Sequence, residues 1–589
     1  MSRALPLSRK LLALAASTAL AAPLAFAGPA SGAETGSYTV TPLTFTVEAG
    51  GRTCAIDADL YRPAGVDAAH PAPAVVATNG FGGSKADGSI DAIGKAFAAR
   101  GYVGLVYSGL GFGKSGCLIS LDDPRIDGQA ATRLLDFLGG SRAADDGTRA
   151  DFVTKDGAGD PRVGMIGGSY GGAIQLATAS VDPRLDALVP LITWNDLAYS
   201  LAPNGADRAT PGVFKWQWAN GFYLMGEGQP LLVPSLDPSR INSLRCLHVV
   251  TDACGTVRLL NSGRYLEADT KKMLDFARSV SPVSYLDKVK APTLIVQGQS
   301  DSLFNLNEAQ DTYERLQARG VETKMIWQSW GHSGGQAPGE LDLGQGNLET
   351  SYVGQRVLAW FDRYLRRDRS ADTGAEFAYY RSWQSGYGTA ATVPGLSRKL
   401  YLSGDGKLVD NRAEVARGSR EYSNWLVPTS HSESSLAGMI GLPDPQPYDI
   451  KGTYLGWASA PLTAPVDVVG APKATLRVVS PKTERVQDSG DAADKLVLFA
   501  KVYDIAPDGK KTLVNRLVAP VRVPDATRSF TVELPGIVHR YETGHRLEFV
   551  IAASDDAYSG NRGIKPVTIT AAPEDTGTLE LPVVKGQVG

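Results

Sequence analysis

One serine, framed by glycines, carries the most specific chemical signal in the sequence. Residues 162–172 read R-V-G-M-I-G-G-S-Y-G-G, with Ser169 in the middle. A short apolar run at 163–166 comes before it, and an Ala-rich, helix-prone stretch at 173–181 follows. This is G-x-S-x-G between a strand and a helix. A sharp strand-to-helix turn lifts the hydroxyl clear of the sheet, and residues two places either side must be small to let strand and helix pass. The helix N-terminus beneath favours developing negative charge. The chemistry that fits is nucleophilic attack by Ser169 on a carbonyl.

A nucleophilic serine needs a base, and the base needs an orienting acid. In sheets of this kind the order along the chain is Ser, acid, His, each in a loop at the carboxyl end of a strand. Of six histidines, His332 alone follows a strand in the α/β part, in W-Q-S-W-G-H-S-G-G at 327–335. His70 precedes the nucleophile, and His248 lies in an insertion. His431, His539 and His545 fall in a later β-rich region. Asp301, in G-Q-S-D-S-L at 298–303, is the first carboxylate after the preceding strand, and it could also cap the next helix. An oxyanion needs two N–H donors. The amide of Tyr170 is one. The second is expected from N-G-F-G-G at 79–83, with Phe81 N–H favoured over Gly80.

The sequence G-F-G-K-S-G at 111–116 matches a dinucleotide fingerprint, but no helix opens after it. Ser108 stands where a phosphate loop would have its first glycine, so neither nucleotide reading holds.

The elements that must position these groups alternate. Residues 38–48 and 53–62 read as a hairpin, 74–78 and 102–107 as buried strands, and 90–100 and 127–138 as helices. Further strands are expected at 185–193, 292–297 and 323–327, with helices at 305–319 and 348–366. Nearly all-apolar strands alternating with helices predict an α/β fold with a parallel sheet covered on both faces. The alternation lapses over 194–286, an insertion carrying Phe214, Trp216, Trp218, Phe222 and Tyr223. After about residue 396 short alternating segments divided by turns predict an all-β sandwich. The expected organisation is therefore a leader at 1–27, a catalytic domain at 38–395 with its insertion, and a β domain at 396–589.

At 589 residues the chain exceeds one compact core, and its net charge of −3 gives no basic patch for nucleic acid. Arg3, Arg9 and Lys10, an apolar run at 11–24 and Ala25-Phe26-Ala27 have the pattern of a secretory signal, so export is expected and no membrane span. Four cysteines in an exported chain suggest two bridges. Cys246 and Cys254 close a short loop, which leaves Cys54 with Cys117. Nothing in the sequence asks for a metal or an organic cofactor.

These pieces resemble the Xaa-Pro dipeptidyl-peptidase and cocaine-esterase-like family of α/β-hydrolases. The likeness runs from Tyr38 to Val584. It rests on 167–172, on S-P-V-S-Y-L-D-K-V-K-A-P-T-L-I-V-Q-G-Q-S-D at 281–301, and on Gly331-His332. It continues in the β region with V-Y-D-I-A-P-D-G at 502–509 and G-H-R-L at 544–547. The resemblance implies an α/β-hydrolase fold with a helical cap insertion, then a jelly-roll domain. It implies hydrolysis of small esters or amides, with release of Xaa-Pro dipeptides from peptide N-termini the first expectation and an acyl esterase on small esters the alternative, and it places the triad on Ser169, Asp301 and His332. Dipeptide release would need a carboxylate for the α-ammonium, for which Asp196, Asp207 and Glu227 are candidates, each expected as a solvated charge. The chain departs from the family at Phe81, where members often use a tyrosine hydroxyl on the oxyanion. Tyr107, Tyr170 and Tyr223 are the tyrosines that could replace it. A reading of another class is a cell-wall or saccharide binding protein with a silent hydrolase domain.

Overall fold

The apolar runs form the centre of one ten-stranded sheet in a computed structural model that describes residues 36–232, 237–433 and 445–584. The expected leader at 1–27 lies outside the described residues. Strands β1 (Tyr38–Ala49) and β2 (Arg52–Pro63) pair as a long hairpin around Gly50 and Gly51, at φ +58° and +74°. Then come β3 (Ala74–Thr78), β4 (Val103–Tyr107), β5 (Val163–Gly168), β6 (Leu185–Leu191), β7 (Thr293–Gly298) and β8 (Thr323–Gln328). The spatial order is β1-β2-β4-β3-β5-β6-β7-β8, continued by β9 (Phe377–Arg381) and β10 (Gly386–Ala390). From β4 to β9 every pairing is parallel. β3, β4 and β7 are buried at every residue, which is why their sequences show no polar face.

Helices cover both faces. α1 (Gly88–Ala99) and α9 (Tyr352–Leu365) pack Phe97, Trp360 and Phe361 on one side. α2 (Gln129–Leu138) and α3 (Tyr170–Val181) pack Leu134, Phe137, Ile174 and Leu176 on the other. β9 and β10 extend the sheet beyond the strands expected from sequence. F-A-Y-Y is a short apolar run buried throughout, whereas G-Y-G-T-A has no such run and is made a strand by its pairing with β9.

The insertion after β6 is helical: α4 (Leu197–Leu201), α5 (Trp216–Gly228), α6 (Thr251–Ser262) and α7 (Glu267–Ser279). Glu308, in the first turn of α8 (Leu306–Ala318), anchors its base. Its Oε2 accepts from Asn195 N at 2.7 Å and Asp196 N at 2.9 Å. Burial pushes the Glu308 carboxyl up to about 7. Two disulfides tie loops down. Cys54 on β2 joins Cys117, and Cys246 joins Cys254, with Cα atoms 5.7 and 5.9 Å apart. No helix among the described residues is long and apolar enough to cross a membrane.

The G-F-G-K-S-G stretch is a structural loop. Gly111 and Gly113 have φ +82° and +53°, and their carbonyls accept from Nη2 and Nη1 of buried Arg240, both at 2.7 Å. His248, fully buried, has Nε2 2.7 Å from Gly111 O and Nδ1 2.7 Å from Arg240 O. Its ring thus latches the cap onto this loop.

The C-terminal part is almost entirely β, with two five-stranded sheets. One is ordered Leu408–Val409, Arg398–Leu402, Thr578–Leu581, Lys473–Leu476, Phe530–Glu533. The other centres on Val497–Ile505 and Arg546–Ala552. It packs against the cap and the strand-end loops. Trp216 Nε1 donates to Asp556 O at 2.9 Å, Arg522 Nε to Pro211 O at 2.9 Å, and Asn515 Nδ2 to Gln299 O at 2.9 Å.

Candidate active site

Ser169 stands between β5 and α3 with φ +57° and ψ −119°, a conformation that L residues rarely adopt. The flanking glycines have no room for a side chain. A Cβ on Gly167 would lie 2.6 Å from Gly171 O, and one on Gly171 would lie 2.5 Å from Thr78 O. The turn is therefore too tight for anything but glycine there, and it holds the serine side chain above the strand ends.

The structure brings His332 and Asp301 to it. His332 Nε2 lies 2.8 Å from Ser169 Oγ, and Nδ1 lies 2.7 Å from Asp301 Oδ2. An ionised carboxylate only accepts, so Nδ1 carries the proton and Nε2 is left to accept from the serine hydroxyl. Asp301 has no exposed side-chain surface, and the His332 side chain is 7% exposed. Asp301 Oδ1 accepts from Leu303 N and Phe304 N at 2.9 and 2.8 Å, so one carboxylate both caps its own loop and holds the imidazole. Gly331 is required beside it, since a Cβ there would sit 2.5 Å from Asp301 Cβ. Phe304 and Trp218 stand edge-on to the His332 ring at 5.1 and 6.3 Å.

The 79–83 loop reaches the same place. A Cβ on Gly80 would lie 3.9 Å from Ser169 Cβ. Gly83 N donates to Gly80 O at 3.1 Å, closing a turn in which Gly82 has φ +86°, a value that turns of this kind assign to glycine. Among the described residues the amides of Gly80 and Phe81 donate to no protein acceptor. Tyr170 N belongs to the first turn of α3, where helical partners are lacking.

None of the three tyrosine hydroxyls is bonded to Ser169. Tyr170 Oη accepts from Asp122 N at 3.1 Å, and Tyr107 lines the same small cavity beneath α3 together with Asp122 and Asp127. Burial pushes the Asp127 carboxyl up to about 7 and that of Asp122 well above the carboxylate range. The hydroxyl of Tyr223 lies 3.4 Å from Cys254 Sγ.

The three carboxylates considered for an α-ammonium are engaged elsewhere. Asp196 is buried, not solvated; it caps α4 through Ala198 N at 2.9 Å and pairs with Arg278 Nε at 3.3 Å. Asp207 accepts from Ala209 N at 2.9 Å in its own turn, and Glu227 accepts from Val249 N at 3.3 Å. Local hydrogen bonding by Asp at helix starts and turns explains the first two.

Behind Phe81, between α4, α5, α6 and α7, lies a cavity of about 100 Å³. Its described walls are apolar apart from the hydroxyls of Tyr223 and Thr256. No local sequence pattern announces it, because its walls come from four helices, the 79–83 loop, and Leu121 and Val249 in two further loops. Among the described residues no group of three or more His, Cys, Asp or Glu could hold a metal ion.

A strained serine aimed at a buried imidazole, at the carboxyl end of a parallel sheet, is suited to acyl transfer. Fold and site define the chain as a serine hydrolase of α/β-hydrolase architecture. Residues 51–334 match the model of the X-Pro dipeptidyl-peptidase (S15) family, and residues 389–576 match the X-Pro dipeptidyl-peptidase C-terminal non-catalytic domain. The chain belongs to the X-Pro dipeptidyl-peptidase and cocaine-esterase-like family.

Solved structures agree in fold. An α-amino acid ester hydrolase shares 17% identity at a TM-score of 0.65, over 96% of this chain and 100% of that one. An aminopeptidase from a marine sediment Thaumarchaeota archaeon shares 16% at 0.64, over 93% and 97%. A CocE/NonD family hydrolase from Staphylococcus aureus shares 15% at 0.61, over 93% and 94%. No curated protein matches the chain by sequence.

If His332 is the base, His332→Gln lowers kcat/KM by about 10³-fold or more with little change in thermal midpoint. A variant retaining a tenth of wild-type activity would show that another base serves Ser169.

Proposed function

We propose that the chain is a secreted hydrolase that forms an acyl-enzyme on Ser169, with His332 and Asp301 completing a triad. The observation that carries this is the unbroken hydrogen-bonded row from Ser169 Oγ through His332 to buried Asp301. His332 Nε2 takes the hydroxyl proton as Ser169 Oγ bonds to the substrate carbonyl carbon. The imidazolium then gives that proton to the leaving group as its bond to carbon breaks. Water, deprotonated by the same nitrogen, bonds to the acyl carbon; the bond from that carbon to Ser169 Oγ then breaks, Oγ takes the proton back from His332, and the acid leaves. Asp301 keeps the imidazole in one tautomer and stabilises its charged form. The oxyanion is held by the amides of Tyr170 and Phe81, with Gly80 the alternative second donor. These are backbone groups, so the phenylalanine at position 81 is no obstacle.

Export is supported by the basic and apolar pattern of residues 1–27 and by two disulfides, which persist in oxidising compartments.

Of the two substrate readings, an uncharged acyl ester fits the geometry best. Asp196, Asp207 and Glu227 are occupied by hydrogen bonds, and the cavity beside Phe81 has no charged side chain among its described walls. Release of Xaa-Pro dipeptides is the second reading, favoured by the matching family model. Assaying p-nitrophenyl butyrate against an Xaa-Pro p-nitroanilide, such as that of glycyl-proline, separates them. The ester is expected to have the higher kcat/KM, and blocking the peptide's N-terminus should cost nothing. A faster anilide that needs its free amine would reverse the assignment.

A further inference from the structure

Lys215, at the start of α5 in the cap, is a buried cation with no part in the bond-making steps; its side chain is 5% exposed. A lysine is almost never buried without partners. Its Nζ donates to Ser302 O. Two groups of the C-terminal part stand beside it: Glu433 Oε2 at 3.9 Å, and the ring of Tyr558 at 5.5 Å. The Glu433 side chain is itself 3% exposed, and its Oε2 accepts from Tyr558 Oη at 2.7 Å. Glu433 is too far from the ammonium for a hydrogen bond. It supplies the opposite charge that a buried ammonium needs, while the ammonium's hydrogen bond goes to the loop that carries Asp301.

Peptide geometry decides what that bond fixes. Ser302 C=O and Leu303 N–H belong to one planar trans unit, so they point in opposite directions. Leu303 N is the group that donates to Asp301 Oδ1 at 2.9 Å. Holding the oxygen toward Lys215 therefore holds the N–H toward the carboxylate. Asp301 Oδ2 in turn meets His332 Nδ1 at 2.7 Å, and His332 Nε2 meets Ser169 Oγ at 2.8 Å. A parallel link ties the acid's loop to the base's loop. The hydroxyls of Ser302 and Ser333 are hydrogen-bonded, and Ser302 N donates to Ser333 Oγ at 3.2 Å. The C-terminal part grips the same loop again where Asn515 Nδ2 donates to Gln299 O.

We infer that Lys215, with Glu433 as its buried counter-charge, is a positioning residue for the acid of the triad, and that the C-terminal part reaches the catalytic centre through this pair. The inference rests on the Ser169, His332 and Asp301 roles proposed above. Lys215 acts through the Ser302–Leu303 peptide and Asp301, so its loss should slow the chemical step and leave substrate binding nearly unchanged.

The test is kinetic, on p-nitrophenyl butyrate, or on glycyl-proline p-nitroanilide if that is the faster substrate. Lys215→Met keeps the reach of the side chain and removes the ammonium. It is expected to lower kcat by about 10- to 100-fold, the scale of a misplacement of about 1 Å, with KM changed by less than about threefold. Alone it strands Glu433 without its counter-charge. Lys215→Met/Glu433→Gln leaves neither charge of the pair, so it is the variant to use if the single one does not fold, and it should show the same loss of kcat. The decisive comparison is made in Asp301→Asn, itself expected to lose about 10⁴-fold in kcat. If Lys215 acts through Asp301, adding Lys215→Met there should cost less than about a further twofold. A kcat within about threefold of wild type in the folded variants, or the same loss with and without Asp301, would overturn the positioning role. Asp301→Asn retaining about a tenth of wild-type activity would instead overturn the triad reading on which the inference rests.

Discussion

Ser169→Ala removes turnover by about 10⁴-fold or more and leaves the thermal midpoint almost where it was. The size follows from the proposed mechanism. Without the hydroxyl, no acyl-enzyme forms, and what remains is the oxyanion hole acting on direct attack by water. The small stability effect follows from the structure. The Ser169 Oγ contact is to His332 Nε2, an exchange that solvent can replace at a part-exposed position. The backbone strain at φ +57° is common to serine and alanine, so the turn itself is not relieved. Activity above a tenth of wild type would mean that Ser169 is not the nucleophile.

Gly82→Val is expected to lower kcat by about 10²–10³, the cost of losing one oxyanion donor. Two effects act together. A φ of +86° is hostile to a β-branched residue, and its Cβ would meet Met225 Sδ at 2.3 Å. The turn must open, and the Phe81 amide moves with it. Phe81→Leu is the contrast. It keeps the amide, so kcat should change by less than about tenfold. Circular dichroism and the thermal midpoint separate loss of the turn from loss of the fold. If Gly82→Val were fully active and Tyr107→Phe, Tyr170→Phe or Tyr223→Phe lost 10² or more, a tyrosine hydroxyl would replace the two-amide arrangement.

The parts of the site that lie on strands and their immediate turns were legible in the sequence, and the reason is local. β3, β4 and β7 are buried on both faces, so their apolar runs name them. Gly167 is forced by a backbone clash within its own turn, and Gly171 by the backbone at the end of β3, where a Cβ would lie 2.5 Å from Thr78 O. Asp301 and His332 each follow a strand at once, and the structure places them in contact. What was not legible depends on distant pairs. β10 has no apolar run of its own and exists by pairing with β9. Asp196 looks like a surface charge until Arg278, 82 residues away, is seen against it. The roles of Asn515, which bonds Gln299 O near Asp301, and of Glu308 under the cap appear only when the elements are packed. The apolar cavity under the cap belongs to no single segment. Phe222 and Tyr223 of its lining stand in the aromatic cluster at 214–223, but nothing local places them against Phe81.

The most direct measurement is to treat the folded chain with a fluorophosphonate and map the adduct by mass spectrometry. The account predicts one adduct per chain, on the peptide containing Ser169, formed in step with the loss of ester hydrolysis and greatly slowed in His332→Gln. An adduct on any other residue, or an unlabelled Ser169 in a chain whose ester hydrolysis has been abolished by the reagent, would contradict it.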